Sequence, residues 1–302
     1  MTINDTPRTI KVSLIKKVII MKRILISVTL VALSSVLLLT SCNREEPQNN
    51  GNNNNGGNTD NPVDSTYNNQ EYPSTAHVIR KAVADIDGNV YDAVQIGSKV
   101  WMAENLRTTR YADGTVIPKG NSSSPSTTYR YSPDANEGYA PVYGYLYNWP
   151  AVMHGSSPSS ANPSGVQGIC PNGWHVPSKA EWEQLTSYVS SQSQYVCGNN
   201  GANAKALASS WGWKNYSGGY YSPCYVGVGL YDNNATGFSA LPAGSYPYGS
   251  FLFTENACFW TATEKDNDKA MMYRLDYDYD FMHSSDGGRT KDAGYSVRCV
   301  RD

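Results

Sequence analysis

The N-terminal part of this chain joins a basic and apolar segment to a cysteine, and this limits which residues can build a folded domain. Two basic residues at 22–23 precede a mostly apolar run at 24–39, and Thr and Ser then precede Cys42. The run is shorter than the roughly 20 apolar residues that a membrane-spanning helix needs. A basic start, an apolar run and small residues before a cysteine are typical of a lipoprotein signal peptide.

We therefore predict that residues 1–41 are a signal peptide and that Cys42 becomes the lipidated first residue of the mature chain. Met21 is the expected start, because residues 1–20 add only an extension interrupted by lysines. The predicted location is the outer membrane, with the lipid as anchor and the protein exposed at the cell surface. An uncleaved N-terminal anchor helix is the alternative.

Residues 42–75 are predicted to form a flexible tether. They are rich in Asn, Gly, Asp, Pro and Thr, and they include four consecutive Asn at 52–55. Such a segment buries too little apolar surface to offset the entropy that ordering would cost. Glu45 and Glu46 resemble the acidic export signal of surface lipoproteins in the Bacteroidetes group, and an ordinary charged spacer explains them equally well.

The remaining residues, 76–302, are enough for one large domain, and no second linker of comparable length interrupts them. The net charge of −2 offers no basic surface for nucleic acid. The chain has 23 Tyr and 7 Trp but only 5 Phe. The tyrosine side chain has an apolar ring and a polar hydroxyl, so it suits solvent-exposed binding surfaces as well as protein cores. The excess therefore indicates either stacking on sugar rings or a loop-rich β fold that uses tyrosine as strand filler.

Five cysteines remain after Cys42, and an odd number leaves at least one of them unpaired. Disulfides are permitted outside the cytoplasm. The sequence has no Cys-x-x-Cys pair and no cluster of Cys and His, so we predict neither a zinc site nor another cofactor. The five are Cys170, Cys197, Cys224, Cys258 and Cys299.

Short strands and turns dominate the pattern of the domain. Residues 83–106 indicate a meander with turns at 87–88 and 97–98. Residues 85–89 fit a hairpin turn better than a calcium loop, because the spaced acidic ligands of such a loop are missing. Residues 142–149 indicate a strand that leads into a short helix.

One helix is clearly signalled after Ser178, which can cap its N-terminus while Glu181 completes a capping box. Residues 202–208 are a second, alanine-rich helix candidate. Four side chains of the first helix are expected to share one buried face. They are Trp182, Leu185, Tyr188 and Val189.

Residues 272–281 alternate strongly and are predicted to form a half-buried strand. One face would carry Tyr273, Leu275, Tyr277, Tyr279 and Phe281, and the other Asp276, Asp278 and Asp280. A solvated strand face is the favoured interpretation of the three carboxylates. A site for a hard cation is the weaker alternative, because such a cation needs several oxygen ligands. A last strand is predicted at 295–301.

Six distinctive segments occur in a fixed order along the domain. They are 94–106, ending in Trp-Met-Ala-Glu-Asn-Leu; 143–149, Tyr-Gly-Tyr-Leu-Tyr-Asn-Trp; 170–178 with 181–182, opening with Cys-Pro-Asn-Gly-Trp-His; 237–244, Gly-Phe-Ser-Ala-Leu-Pro-Ala-Gly; 259–264, Phe-Trp-Thr-Ala-Thr-Glu; and 296–300, Ser-Val-Arg-Cys-Val. Together they resemble the Fibrobacter succinogenes major paralogous domain over residues 83–302. The resemblance implies a secreted or lipid-anchored protein, and it implies no reaction.

Parts of these segments also resemble C-type-lectin-like and formylglycine-generating-enzyme-like folds. The parts are Val-Pro-Ser at 176–178, Ala-Glu-Trp at 180–182 and Val-Arg-Cys at 297–299. This resemblance implies an α+β, loop-rich C-type-lectin-like domain with a small twisted antiparallel sheet and two helices. It also implies that the N- and C-terminal strands pair and that Cys170 and Cys299 form a disulfide.

We predict no enzymatic activity, because the sequence lacks a catalytic constellation. Formylglycine-generating enzymes hold copper with two nearby cysteines, whereas Cys258 and Cys299 lie in different segments. The Glu-Pro-Asn, Gln-Pro-Asp and Trp-Asn-Asp strings of calcium-dependent lectins do not occur. Neither a Gly-x-Ser-x-Gly elbow nor a phosphate-binding glycine loop is present in the sequence.

Tyrosines outside the matched segments are the candidates for ligand stacking, because binding residues concentrate in loops. They are Tyr220, Tyr221, Tyr225, Tyr246 and Tyr248. The tryptophans inside the segments are expected in the core: Trp101, Trp149, Trp174, Trp182 and Trp260. The predicted function is non-catalytic recognition of a glycan or a surface protein by a lipid-anchored envelope protein. A structural or tip subunit of a surface assembly is the alternative, and an oxidase of the formylglycine-generating type is less favoured.

Overall fold

Short strands linked by long loops form most of the regular structure. The computed structural model describes residues 72–219, 221–247 and 252–302. The predicted signal peptide, Cys42 and all but the last residues of the predicted tether lie outside the described residues. In the ranges that are described, no helix is long and apolar enough to cross a membrane.

The strands and helices together confirm the predicted α+β class. The strands are β1 (His77–Ala84), β2 (Val90–Ile96), β3 (Lys99–Met102), β4 (Arg130–Tyr131), β5 (Leu146–Tyr147), β6 (Trp174–His175), β7 (Asn256–Glu264), β8 (Lys269–Asp276), β9 (His283–Ser284), β10 (Arg289–Thr290) and β11 (Val300–Arg301). The helices are α1 (Ala140–Tyr143), α2 (Trp149–Met153), α3 (Lys179–Ser191) and α4 (Ala204–Leu207).

The first sheet is antiparallel and has the order β1-β2-β3-β11-β6. Strands β1 to β3 form the predicted meander. In its first turn the Asp85 carboxylate accepts hydrogen bonds from the backbone N–H groups of Asp87 and Asn89, which confirms a hairpin turn. The C-terminal strand β11 lies between β3 and β6, so it joins the meander through β3, while β1 lies at the edge of the sheet.

Two disulfides join loops that are distant in sequence. One joins Cys170 to Cys299, beside β6 and β11, and this is the pairing that the lectin-like resemblance implies. The other joins Cys197 to Cys224. Cys258 is left as a buried free thiol in β7, as the odd count of cysteines requires.

The second sheet has the order β10-β8-β7, with β9 also paired to β8. The predicted strand at 272–281 is too long, because β8 already ends at Asp276. Beyond that point the carbonyls of Tyr277 and Tyr279 accept hydrogen bonds from Gly227 and Val226 of a distant loop, at 2.6 and 3.4 Å. Side chains on both faces of β8 are buried, so the alternating pattern does not separate a solvent-exposed face from a buried one.

Helix α3 begins with the predicted capping box. The Ser178 hydroxyl accepts from the Glu181 N–H at 3.3 Å, and the Glu181 carboxylate accepts from the Ser178 N–H at 3.0 Å. Three of the four predicted inward residues are buried, but Tyr188 is 36% exposed. Helix α4 is shorter than the predicted 202–208 segment, because Ala208 is already extended and pairs with Ala240.

The core confirms the interpretation of the tryptophans, since all five that were expected there are buried. A fully buried Arg298 joins three segments that are distant in sequence. It donates to the side chain of Asn105 at 2.7 Å, to the Met102 carbonyl at 3.0 Å and to the carbonyls of Phe238 and Ser239 at 2.6 and 2.7 Å. Burial lowers the pKa of Arg298 to about 9, so the guanidinium remains charged at neutral pH.

Candidate functional site

A polar cleft of about 480 Å³ opens where β8 ends and the chain turns back into β9. We call it the β8 cleft. Arg274 and Asp276 come from the end of β8, His283 begins β9, and Asn256 begins β7. The remaining lining residues are Leu252, Glu255, Tyr277, Asp278 and Tyr279.

Asp276 is the buried charge of the cleft, with only 6% of its surface exposed. Its Oδ2 lies 3.0 Å from Arg274 Nε, and its Oδ1 accepts a hydrogen bond from the Asn256 side chain. Burial raises the pKa of the Asp276 carboxyl, Arg274 and His283 oppose that effect, and Asp278 adds to it. The net direction is upward, so the environment of this carboxyl favours its protonated form more than water does.

His283 connects this carboxylate to the aromatic part of the cleft. Arg274 Nε donates to His283 Nε2 at 3.0 Å, and His283 Nδ1 lies 3.3 Å from the Phe281 carbonyl. The ring of Tyr279 stands edge-on to His283, with 5.1 Å between centroids, and Tyr279 is 44% exposed. The cleft therefore places an exposed aromatic ring beside hydrogen-bonding groups.

The three carboxylates predicted to form a stripe do not act as one group. Asp276 is buried, Asp278 is exposed, and the half-buried Asp280 does not line the cleft. The solvated-face interpretation is therefore wrong for Asp276, because β8 is covered on both faces where it ends. In the described parts of the chain, no group of three or more His, Cys, Asp or Glu side chains could hold a metal ion.

The predicted tyrosine-rich loop lies against the β8 cleft. The rings of Tyr221 and Tyr225 lie 6.3 and 5.4 Å from that of Tyr216, which in turn lies 6.0 Å from the lining ring of Tyr277. Tyr221 is 55% exposed, whereas Tyr225 is partly buried. The predicted stacking residue Tyr220 lies outside the described residues.

Gly227 permits this close approach of loop and strand. A Cβ at this position would lie 2.7 Å from the Lys214 carbonyl and 2.9 Å from the Tyr277 carbonyl. Real Cβ atoms do not approach backbone oxygen so closely. The glycine therefore lets the loop hydrogen-bond directly to the segment that follows β8.

The other predicted stacking residues lie elsewhere. Tyr246 is stacked on Tyr131, with ring centroids 3.8 Å apart, in a small cluster with Leu146 and Ala243. Its ring therefore contributes to local packing. Tyr248 lies outside the described residues.

Arg274, His283 and Asn256 were missed by the sequence analysis. Arg274 is the one basic side chain in the alternating segment 272–281, and this is the only signal that the sequence carries. The contact between Asn256 and Asp276 joins residues that are 20 positions apart, and no local sequence pattern predicts such a contact.

Comparison with known proteins identifies the domain. The model of the Fibrobacter succinogenes major domain family matches residues 94–301, about two thirds of the chain, and this confirms the resemblance found in the sequence. The family is surface-associated and its function is unknown. No match is found among curated proteins, and none among solved structures. The C-type-lectin-like and formylglycine-type resemblances thus stay predictions, and the chain belongs to the Fibrobacter succinogenes major domain family.

Proposed function

We propose that this protein is a lipid-anchored envelope protein whose domain binds a glycan in the β8 cleft. The observation that carries the proposal is the side-by-side arrangement of Tyr279, Arg274 and Asp278 around one opening. A sugar ring presents C–H groups to an aromatic face and hydroxyls to paired donors and acceptors. The cleft volume also falls in the range of small-ligand sites.

The charges of the cleft favour a ligand rich in hydroxyl groups over an anionic one. Arg274 is paired with Asp276, and Lys214 Nζ is paired with Glu255 at 2.7 Å. Asp278 is exposed and adds a further negative charge. An anion would have to displace an existing carboxylate partner, whereas a hydroxyl can donate to Asp278 and accept from Arg274.

The cysteines support a binding role over the oxidase alternative. A copper site of the formylglycine-generating type needs two thiols, but Cys299 is bonded to Cys170. Cys258 is buried, and burial raises the pKa of its thiol to about 12. A protonated, enclosed thiol is a poor nucleophile and a poor metal ligand.

A glycan screen of the protein with and without added calcium tests the proposal. Tyr279→Ala should weaken the binding of a glycan in the β8 cleft by roughly fivefold, since one stacked ring is worth about 1 kcal/mol. Tyr231→Ala is the matched control, because Tyr231 is 84% exposed and lies outside the cleft.

The possible results of this screen separate the candidate ligands. Binding that depends on Tyr279 and not on calcium supports the proposal. The absence of any glycan hit, together with a protein partner captured by cross-linking on whole cells, would move the assignment to a structural or protein-binding role.

The lipid anchor needs a separate test because Cys42 lies outside the described residues. Cells grown with a labelled fatty acid should incorporate the label into the wild-type protein and not into Cys42→Ser. The serine variant should also lose its lipid-dependent association with the outer membrane. A variant that stays fully membrane-bound would favour the uncleaved anchor helix.

A further inference from the structure

Two further cavities lie beside the β2–β3 turn and α3. One cavity has a volume of about 540 Å³ and the other about 360 Å³. Both are lined by Gly97 and Tyr188, so they adjoin at this pair of residues. We call them together the Tyr188 groove. Among the described residues, it shares no lining residue with the β8 cleft.

Tyr188 is exposed although its helical position predicts burial. Its neighbours on the same face of α3, Trp182, Leu185 and Val189, are all buried. A Cβ on Gly97 would lie 3.3 Å from two carbons of the Tyr188 ring, so the ring rests on the glycine. Gly97 also has a positive φ of 61°. The turn thus supports the tyrosine from one side and leaves 36% of the residue open.

Neutral hydrogen-bonding groups surround this ring. Gln184 donates to the Ser98 hydroxyl at 3.2 Å and accepts from the Asn162 side chain at 2.8 Å. This chain of bonds orients the Gln184 amide at the larger cavity. On the other side of Tyr188, the exposed side chains of Gln95 and Gln194 line the smaller cavity. Each amide can both donate and accept.

Among the described residues, Glu181 is the only carboxylate that lines either cavity, and it has no acceptor capacity left for a ligand. Glu181 Oε1 lies 2.8 Å from His175 Nε2 and 2.8 Å from Lys99 Nζ. Its Oε2 accepts the backbone N–H groups of Ser164 and Ser178, at 3.1 and 3.0 Å. A cationic ligand therefore finds no free carboxylate among the described lining residues, and an anionic ligand must compete with Glu181 for Lys99 or rely on the exposed His77 of the smaller cavity.

We propose that the Tyr188 groove binds a neutral oligosaccharide, with one sugar ring in each cavity. An aromatic ring bordered by amides and a hydroxyl, with His77 at the edge of the smaller cavity and Lys99 paired to Glu181, suits uncharged sugar rings. Two adjoining cavities require at least two linked sugars. The groove is distinct from the site of the proposed function, so either site can fail without the other.

Calorimetric titration of the full-length protein in detergent tests this site. The probes are neutral tetrasaccharides of glucose, xylose and mannose, their monosaccharides, and a tetrasaccharide of uronic acids. At least one neutral tetrasaccharide should bind roughly tenfold or more tightly than its monosaccharide, because it fills both cavities. The uronic acid tetrasaccharide should bind more weakly.

Variants locate the bound sugar. Tyr188→Ala should weaken tetrasaccharide binding by roughly tenfold or more, and Tyr188→Phe should retain it, because the ring and not the hydroxyl makes the contact. Tyr231→Ala and Tyr279→Ala should leave the Tyr188-dependent part of the binding unchanged, because neither residue lines the Tyr188 groove. If Tyr188→Ala unfolds, Gln184→Ala replaces it, with an unchanged thermal transition as the requirement.

Three results would overturn the proposal. The first is that no neutral tetrasaccharide binds. The second is that binding is lost in Tyr279→Ala and kept in Tyr188→Ala, which would assign the sugar to the β8 cleft. The third is that the uronic acid tetrasaccharide binds best, which would mean that Lys99 rather than the ring dominates.

Discussion

Glu181→Gln should lower the free energy of unfolding by about 3 kcal/mol at neutral pH. Burial alone would raise the pKa of the Glu181 carboxyl, but hydrogen bonds from His175, Lys99 and the Ser178 backbone lower it by more, from 4.5 to about 2. Each unit of pKa is worth about 1.36 kcal/mol, which gives a stabilisation of about 3 kcal/mol for the ionised group.

The pH dependence of this effect has a definite sign. The folded-state pKa of Glu181 is lower than the unfolded value, so its stabilisation is fully present above pH 4.5 and is lost as the pH falls towards 2. The difference between wild type and Glu181→Gln should therefore shrink in acid. Glutamine keeps the shape of the side chain but turns an N–H donor towards groups that already donate.

Urea denaturation of residues 72–302, with the disulfides intact, measures the difference. Glu183→Gln is the matched control on the same helix. Its carboxylate is 53% exposed and forms a surface ion pair with Lys179, so it should change stability by less than about 0.5 kcal/mol. Equal effects of the two substitutions, or a Glu181→Gln effect that does not depend on pH, would refute the reasoning.

Three further predictions concern the β8 cleft and its supporting loop. Replacing Cys197 and Cys224 by alanine should lower the free energy of unfolding by roughly 3 kcal/mol, because the disulfide joins residues 27 positions apart; an unchanged urea midpoint would contradict this. Gly227→Ala should destabilise the protein by about 1–3 kcal/mol and weaken cleft binding in titrations, whereas Gly219→Ala, with nothing within 4 Å of its Cβ, should do neither. The pKa of Asp276 is raised in the folded state, so its contribution to the free energy of unfolding is fully present below pH 3.8 and is lost as the pH rises through the folded-state pKa. The stability of Asp276→Asn relative to wild type should therefore increase as the pH rises over this range, and a relative decrease would contradict this.

Local signals in the sequence predicted much of the fold. The capping box at Ser178 and Glu181 and the turn at Asp85 to Asn89 are short-range patterns, and each is found where it was predicted. The tryptophans were placed in the core because they lie in the segments that carry the family resemblance. The capping box and the turn were predictable because their hydrogen bonds join residues that are neighbours in the sequence. The burial of the tryptophans was predictable because it follows from the fold that the family shares.

The parts that failed depend on tertiary contacts. The alternation at 272–281 continues past Asp276, but β8 ends there because Tyr277 and Tyr279 hydrogen-bond to a loop some 50 residues earlier. Tyr188 has the helical spacing of a core residue, yet the glycine turn at Gly97 holds it at the surface. The pairing of Arg274 with His283 likewise depends on the return of the chain into β9.

Hydrogen–deuterium exchange with a bound glycan tests the central claim most directly. The amides of two segments, 252–256 and 274–283, line the β8 cleft, and they should exchange more slowly when the glycan that emerges from the screen is saturating. The protection should disappear in Tyr279→Ala and persist in Tyr231→Ala. Slower exchange confined to other segments, or no change at all with a saturating glycan, would contradict the assignment of the β8 cleft as the recognition site.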